Sequence, residues 1–298
     1  MRYLIITIFI CICLIYIYNI YSNNAYKYYK HRLEYNDYDI LINNLENYMN
    51  EKMKEILPGK LQEFPQEINY VCSAGAFFNL IAAGSIIFLQ KLNIKIIQYA
   101  GCSAGSQVSY ICLNKCHNEG MKWAFSVGDT LSQYKYIRHE PMWDFFREIS
   151  PKLPIPEAGQ LTCSMTVISK WYKPWNMKNI HITSYNSHSD VGESVLVSAA
   201  IPWLFMKNIV CKYRNMLILD GGLTEKTPIF KNSKRPQIIT DWNKKVLPNK
   251  FKKIKTGLFV SSNTMYELFK YGVDVTVDLI NNIELKNECI RLQKTVLS

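Results

Sequence analysis

The chain predicts an α/β fold with a mainly parallel central sheet. Three observations carry this. Ile68–Cys72 reads as a buried strand, Phe77–Leu92 as an apolar helix, and Ile94–Tyr99 as a second strand, followed by a helix-compatible stretch to about Leu113. That alternation is the signature of strands joined by helical crossovers. Gly101-Cys102-Ser103-Ala104-Gly105 sits at the second strand-to-helix junction, and Met216–Leu219 is a short strand ending in Asp220-Gly221-Gly222.

A chain of 298 residues with 48% hydrophobic and 20% charged residues can bury a sizeable core, which excludes a disordered polypeptide. The formal net charge of +11 favours an anionic partner, either nucleic acid or an acidic membrane surface. Nothing resembles a helix-turn-helix, an RNA-recognition motif or a zinc finger, so nucleic acid is not the expected partner. Nine cysteines are an odd number, with no CxxC pair and no second pair matching Cys112 and Cys116. Reduced, buried thiols are expected, without a disulfide framework, metal site or cofactor.

Residues 1–22 form the first division. Tyr3–Tyr18 carries no charge, and tyrosines close the run, as suits a membrane interface. No small-residue cleavage site follows, so a retained transmembrane or signal-anchor segment is expected in preference to a cleaved leader. Lys27, Lys30 and Arg32 beyond it put the remaining chain on the cytosolic side.

Residues 23–66 read as a polar, tyrosine-rich linker with a helix over Tyr38–Ile56, ended by Pro58-Gly59. The principal domain spans 67–298. Within it, about 122–174 is less regular, and its aromatics read as packing of an irregular region, in preference to a lid or a membrane-facing loop. Ile180–Tyr185 alternates like a strand and Val195–Ala200 reads as a short helix. Thr256–Val260 is expected to be a late strand, and Val275–Leu297 a closing helix.

A serine between two glycines at a strand-to-helix turn can occupy the sharp nucleophile elbow, which lifts its hydroxyl clear of the sheet. The helix N-terminus beside it favours developing negative charge, which points to acyl transfer. A serine nucleophile needs a base. The five histidines are His31, His117, His139, His181 and His188, so none follows Asp220. The chain order Ser…Asp…His therefore cannot use Asp220. A triad of Asp129 with a later histidine stays open, but a Ser103–Asp220 dyad is simpler.

Three blocks in this order and spacing resemble the patatin-like phospholipases. They are Tyr99–Ser106 around the elbow, Ser198-Ala199-Ala200-Ile201-Pro202-Trp203-Leu204-Phe205, and Leu219–Leu223 followed by Pro228. The resemblance covers Ile68–Ile229, about half the chain. It implies a three-layer α/β/α domain in which Ser103 is the nucleophile and Asp220 the base. Gly101, Gly105, Gly221 and Gly222 would serve the elbow and the turn. That family places a glycine-rich loop after its first strand, supplying backbone donors to the oxyanion. Here the stretch is Ser73-Ala74-Gly75-Ala76-Phe77-Phe78, a departure in which only Gly75 is kept. The N–H groups of Ala74, Gly75 and Ala104 are the expected donors.

The function implied is hydrolysis of phospholipid or another acyl lipid at a membrane. Lys244, Lys245, Lys250, Lys252, Lys253 and Lys255 would face anionic headgroups. A transacylase shares the acyl-enzyme step. A membrane-tethered binding protein with an impaired site is the other alternative, motivated by the altered loop.

Overall fold

The computed structural model describes residues 23–32, 37–134, 140–169, 176–201, 210–231, 233–241, 247–252, 254, 257–282 and 289–291. The described strands are β1 (Glu67–Cys72), β2 (Lys95–Cys102), β3 (Leu161–Ile168), β4 (Met177–Ile182), β5 (Cys211–Tyr213), β6 (Met216–Leu219), β7 (Gln237–Thr240) and β8 (Cys289–Arg291). They form one eight-stranded sheet in the order β5-β6-β3-β2-β1-β7-β8, with β4 on the other edge of β3. β2 and β7 flank β1 in parallel, while β3 and β8 extend the parallel pairing on either side. β4 and β6 run antiparallel to β3, and β5 antiparallel to β6. The fold is thus α/β on a mixed, mostly parallel sheet, and it is compatible with an α/β/α layering.

The helices are α1 (23–32), α2 (Asp37–Met53), α3 (Lys60–Glu63), α4 (Asn79–Lys91), α5 (Ala104–Leu113), α6 (His117–Tyr134), α7 (Glu140–Ile149), α8 (His188–Ser198), α9 (Asn249–Lys252) and α10 (Ser262–Asn281). β1 is buried along nearly its whole length, as a central parallel strand must be. The two-residue period splits its side chains between faces. Ile68, Tyr70 and Cys72 join the large core under the helices, whereas Val71 packs with Ala100 and Ile239 against Ile229 and Phe230. α4 connects β1 to β2 and is buried almost all round, sheathed on its far side by α10. The two helices approach through facing glycines. A Cβ on Gly84 would lie 2.2 Å from the Phe269 carbonyl oxygen, and one on Gly272 would lie 2.1 Å from that of Ile81.

Several expectations are corrected. The helix expected over Tyr38–Ile56 is α2, and the 23–66 stretch packs on the domain, with Tyr29, Tyr38, Leu45, Met49 and Phe64 buried in the main core. Asp129 fastens it: its carboxylate accepts from Arg32 and from the Tyr38 hydroxyl, both at 3.0 Å. The supposedly irregular 122–174 region holds α6, α7 and β3, and Trp123, Phe145 and Phe146 pack ring on ring. Residues 257–260 form turn and bend, not a strand, and the strand flanking β1 is instead β7. The helix expected over Val275–Leu297 lies earlier, as α10, and α8 begins seven residues before Val195.

The 1–22 anchor, Trp171, Tyr172, Trp175 and Pro202 lie outside the described residues. Among those described, no helix is long and apolar enough to cross a membrane.

Candidate active site

Strand pairing brings the two predicted dyad residues together. β2 and β6 share one edge of β3 and approach along it from opposite directions. Cys102, the last residue of β2, pairs with Ser164, and Leu219, the last of β6, pairs with Thr166. Only Met165 separates the two strand ends along β3, so the next residues, Ser103 and Asp220, meet. The Ser103 Oγ donates to Asp220 Oδ2 at 2.6 Å, with both side chains buried.

Ser103 adopts φ 55° and ψ −132°, a backbone conformation L-residues rarely take and that costs on the order of 1–3 kcal/mol. Neighbouring groups enforce it. The Ser103 N–H donates to Ser198 Oγ at 3.1 Å, and Ser198 Oγ in turn donates to the Ser164 carbonyl at 2.7 Å. The Ser103 carbonyl accepts from Ser106 Oγ at 2.7 Å. Gly101 and Gly105 are required by contact, since a Cβ on either would stand 2.4 Å or 2.3 Å from a backbone carbonyl oxygen. Gly105 faces Cys72 there, so the elbow helix lies directly on the end of β1.

Asp220 is held from several directions. Its N–H donates to the Ala200 carbonyl at 3.2 Å, and its own carbonyl accepts from Thr166 Oγ1 at 2.8 Å. Oδ1 accepts from the Gly222 N–H at 2.8 Å, closing the turn of Gly221 and Gly222. A Cβ on Gly221 would come within 2.2 Å of the Ser164 carbonyl oxygen. Burial raises the Asp220 carboxyl above its ordinary value, and the hydrogen bonds from Ser103 and Gly222 partly oppose this. A carboxylate with raised affinity for a proton, in contact with a hydroxyl, has the chemistry of a general base.

Ser198 and Ala200 are site residues whose role the sequence reading missed. One chain segment at the end of α8 braces Ser103 through Ser198 and Asp220 through Ala200. Their block was visible in the sequence, but the hydrogen bonds were not.

The oxyanion expectation changes. Ser73 and Ala74 are wedged at the site: a Cβ on Gly105 would be 2.8 Å from the Ser73 carbonyl oxygen, and one on Gly222 2.8 Å from the Ala74 Cβ. However, the Ala74 N–H donates to the Lys226 carbonyl at 2.8 Å, so Ala74 is not a free donor in this conformation. The Phe77 N–H is likewise engaged, by Gly257 at 3.0 Å. Among the described residues, no acceptor takes the N–H of Gly75 or of Ala104, which opens α5. Ala76 has φ 47°, in the left-handed region a glycine would occupy without strain.

Ser103 lines a cavity between α4, α5 and α6, with about 780 Å³ of empty space that includes open solvent. Its walls are mostly apolar: Leu80, Ala83, Ile87, Val108, Ile111 and Met121 are representative. His117 stands on the same wall, with its pKa pushed down to about 4 by burial and by Lys115.

The alternative triad lacks its carboxylate. Besides Arg32 and Tyr38, Asp129 accepts from the Ser262 N–H at 2.7 Å. His181 pairs with Glu225, and His139 lies outside the described residues. No group of three or more potential metal ligands occurs among the described residues. Lys250 is ion-paired with Glu267 at 2.7 Å. Lys252 also lies within the described residues, while Lys244, Lys245, Lys253 and Lys255 fall outside them.

The chain matches no protein-family model and no curated protein.

Proposed function

We propose that this protein is a serine-dependent lipid acyl hydrolase of the patatin-like kind. The observation that carries this reading is the 2.6 Å hydrogen bond to the buried Asp220 carboxylate from Ser103, which lines an apolar cavity. Asp220 accepts the Ser103 proton as Oγ attacks the ester carbonyl and returns it to the departing oxygen, so the alcohol leaves, an acyl-enzyme forms and Asp220 is a carboxylate again. Water, deprotonated by the same carboxylate, then releases the fatty acid. The Gly75 and Ala104 N–H groups face developing oxyanion charge, with the helix dipole of α5 behind Ala104.

Phospholipid or another acyl lipid at a membrane surface is the proposed substrate. Leu223, three residues after Asp220, is 59% exposed, and Phe259 lies near Gly257 on the loop that binds Phe77. Apolar side chains beside such a site suit an interfacial substrate. The apolar run of residues 1–22 and the net charge of +11 support tethering to an anionic bilayer.

The test is incubation with a fluorophosphonate probe and with phospholipid vesicles. Labelling of Ser103 and fatty-acid release, both lost in Ser103→Ala, are expected. Full activity in Ser103→Ala would overturn the reading. One observation favours a second reading, an impaired, lipid-binding relative: the Ala74 N–H is held by Lys226. That reading expects vesicle binding without labelling. A transacylase would show itself as acyl transfer to an added alcohol.

A further inference from the structure

The cavity at Ser103 is elongated, and its direction follows from the helices that line it. Beyond Ser103 it meets α5 at Ala104, Gln107, Val108, Ile111 and Cys112, one face of the helix. From Ser103 to Cys112 that face covers roughly 13 Å, at about 1.5 Å per residue. α4 lines the cavity from Asn79 to Ile87, and α6 from His117 to Val127. α4 and α5 run side by side in one direction. Each follows a strand of the parallel β1–β2 pair, and Gln90 near the end of α4 donates to the Cys112 carbonyl at 2.9 Å. α6 returns the other way. Just before it, the Cys116 N–H donates to the Ile111 carbonyl at 3.0 Å. Further along, a Cβ on Gly128 would lie 2.6 Å from the Val260 carbonyl oxygen, close to Leu258 in the chain.

The two ends differ. Around Ser103, the lining residues Ala76, Phe77, Ala104, Ile201 and Leu258 are partly exposed. At the other end Ile87, Ile111, Cys112, Gly120 and Met121 are buried, with His117 alone of that end partly exposed. His117 puts no charge there at neutral pH, since burial and Lys115 push its pKa down to about 4. The space is thus an apolar slot that opens beside the nucleophile and ends on His117 and Gly120. An ester offers two groups to such a slot. The alcohol must depart before water can attack, whereas the acyl chain stays bonded to Ser103 until water releases it. The group that fills the slot is therefore the acyl chain.

We propose that this slot is an acyl-chain ruler, selecting straight, medium-length acyl groups, with His117 and Gly120 as the residues that set its end. This rests on the acyl-hydrolase reading above. An extended chain advances about 1.3 Å per carbon, from C–C bonds of about 1.5 Å in staggered conformations. A slot of roughly 13 Å therefore takes about ten carbons. A shorter chain leaves apolar wall uncovered, at about fourfold in affinity per missing CH2. A longer one has to bend or leave its tail outside. Gly120 is where the length is most easily changed. A Cβ there would stand 2.6 Å from Ile111 Cγ2, and both residues line the slot, so even one added atom shortens it.

The experiment measures kcat/KM of the full chain on 4-nitrophenyl esters from butanoate to hexadecanoate. The value is expected to peak near decanoate and to fall by about tenfold or more at hexadecanoate. Gly120→Ala should move the peak to shorter chains, and His117→Ala, at a partly exposed position, to longer ones. If Gly120→Ala does not fold, His117→Ala carries the test. In parallel, 1-alkanols from octanol to hexadecanol displace 8-anilinonaphthalene-1-sulfonate from Ser103→Ala, which needs no turnover. Alkanol affinity should climb to about decanol and then level off, and level off later in Ser103→Ala/His117→Ala. That outcome supports the ruler even if no ester is hydrolysed, in which case the hydrolase reading alone fails. Affinity or turnover that keeps rising through sixteen-carbon chains, a flat profile, or a peak that neither variant moves overturns the ruler.

Discussion

The Ser103–Asp220 pair and the neighbouring Ser73–Phe78 loop are built to different standards. Ser103 and Asp220 sit at the ends of two strands that share one edge of β3, and each is braced by the end of α8. The strain at Ser103 is offset by hydrogen bonds to its N–H, its carbonyl and its hydroxyl. The Ser73–Phe78 loop is also well tied, but its ties use up donors: Ala74 binds Lys226 and Phe77 binds Gly257. The comparison teaches that backbone rigidity serves catalysis only where it leaves the reacting groups free. In one region hydrogen bonds hold the reactive atoms in place, and in the other they occupy a donor the reaction could use.

The largest effect is expected at the dyad. Ser103→Ala and Asp220→Asn should each lower ester hydrolysis by about 10⁴-fold or more, since nucleophile and base act as a unit. Circular dichroism should show both variants folded. Asp220→Asn should also be more stable than wild type at neutral pH. Burial raises the Asp220 carboxyl, so the native state holds its proton more tightly than the unfolded chain does. The contribution is favourable below the ordinary carboxylate value and falls as pH rises through the raised one. Thermal melts of wild type and Asp220→Asn across this window check the sign, and the rising limb of kcat/KM should likewise sit above the usual carboxylate range.

Next comes the oxyanion loop. Replacing Ser73 and Ala74 with glycine relaxes the segment held by Lys226. If one donor is regained, kcat should rise by up to about 10²-fold at little change in KM. Unchanged single-turnover rates in this double variant would place the loop outside the reaction.

Ser198→Ala sharpens the other half of the comparison. It leaves the Ser103 N–H and the Ser164 carbonyl without their shared partner. A loss of about 2–6 kcal/mol in stability is expected, from two groups at about 1–3 kcal/mol each. A roughly tenfold slower fluorophosphonate labelling rate should accompany it. Normal labelling with reduced stability would mean the brace is structural only.

The smallest effect on turnover belongs to a remote contact. Gly84→Ala should destabilise by about 1–3 kcal/mol through overpacking against Phe269, read as a lower denaturation midpoint, with kcat unaltered.

Much of this arrangement was legible beforehand. β1 and α4 read as apolar segments because the strand is buried along nearly its whole length and the helix almost all round. The elbow and the Asp-Gly-Gly turn were legible because each needs glycine beside a reactive residue. β3 was not. One face carries Thr162, Ser164 and Thr166, which read as solvated in one dimension but are all buried. Thr166 binds the Asp220 carbonyl and Thr224, and Ser164 accepts from Asn179 at 2.7 Å. Those partners are remote in sequence. The N-terminal stretch was misread for a related reason: its tyrosines are amphipathic, and only packing against α6 and α10 shows Tyr38 and Met49 buried.

The sequence by itself determined which residues could do chemistry: a glycine-flanked serine at a helix start, an aspartate at a strand end, and no histidine after it. Those are local matters of backbone freedom and residue type. Only the tertiary structure decided that Ser103 and Asp220 meet, that Ser198 and Ala200 brace them, and that Ala74 gives its N–H to Lys226. The Ser198 brace and the Ser103–Asp220 contact span 95 and 117 residues of sequence and depend on strand order. Such contacts are set by how the sheet assembles, and no local pattern encodes them.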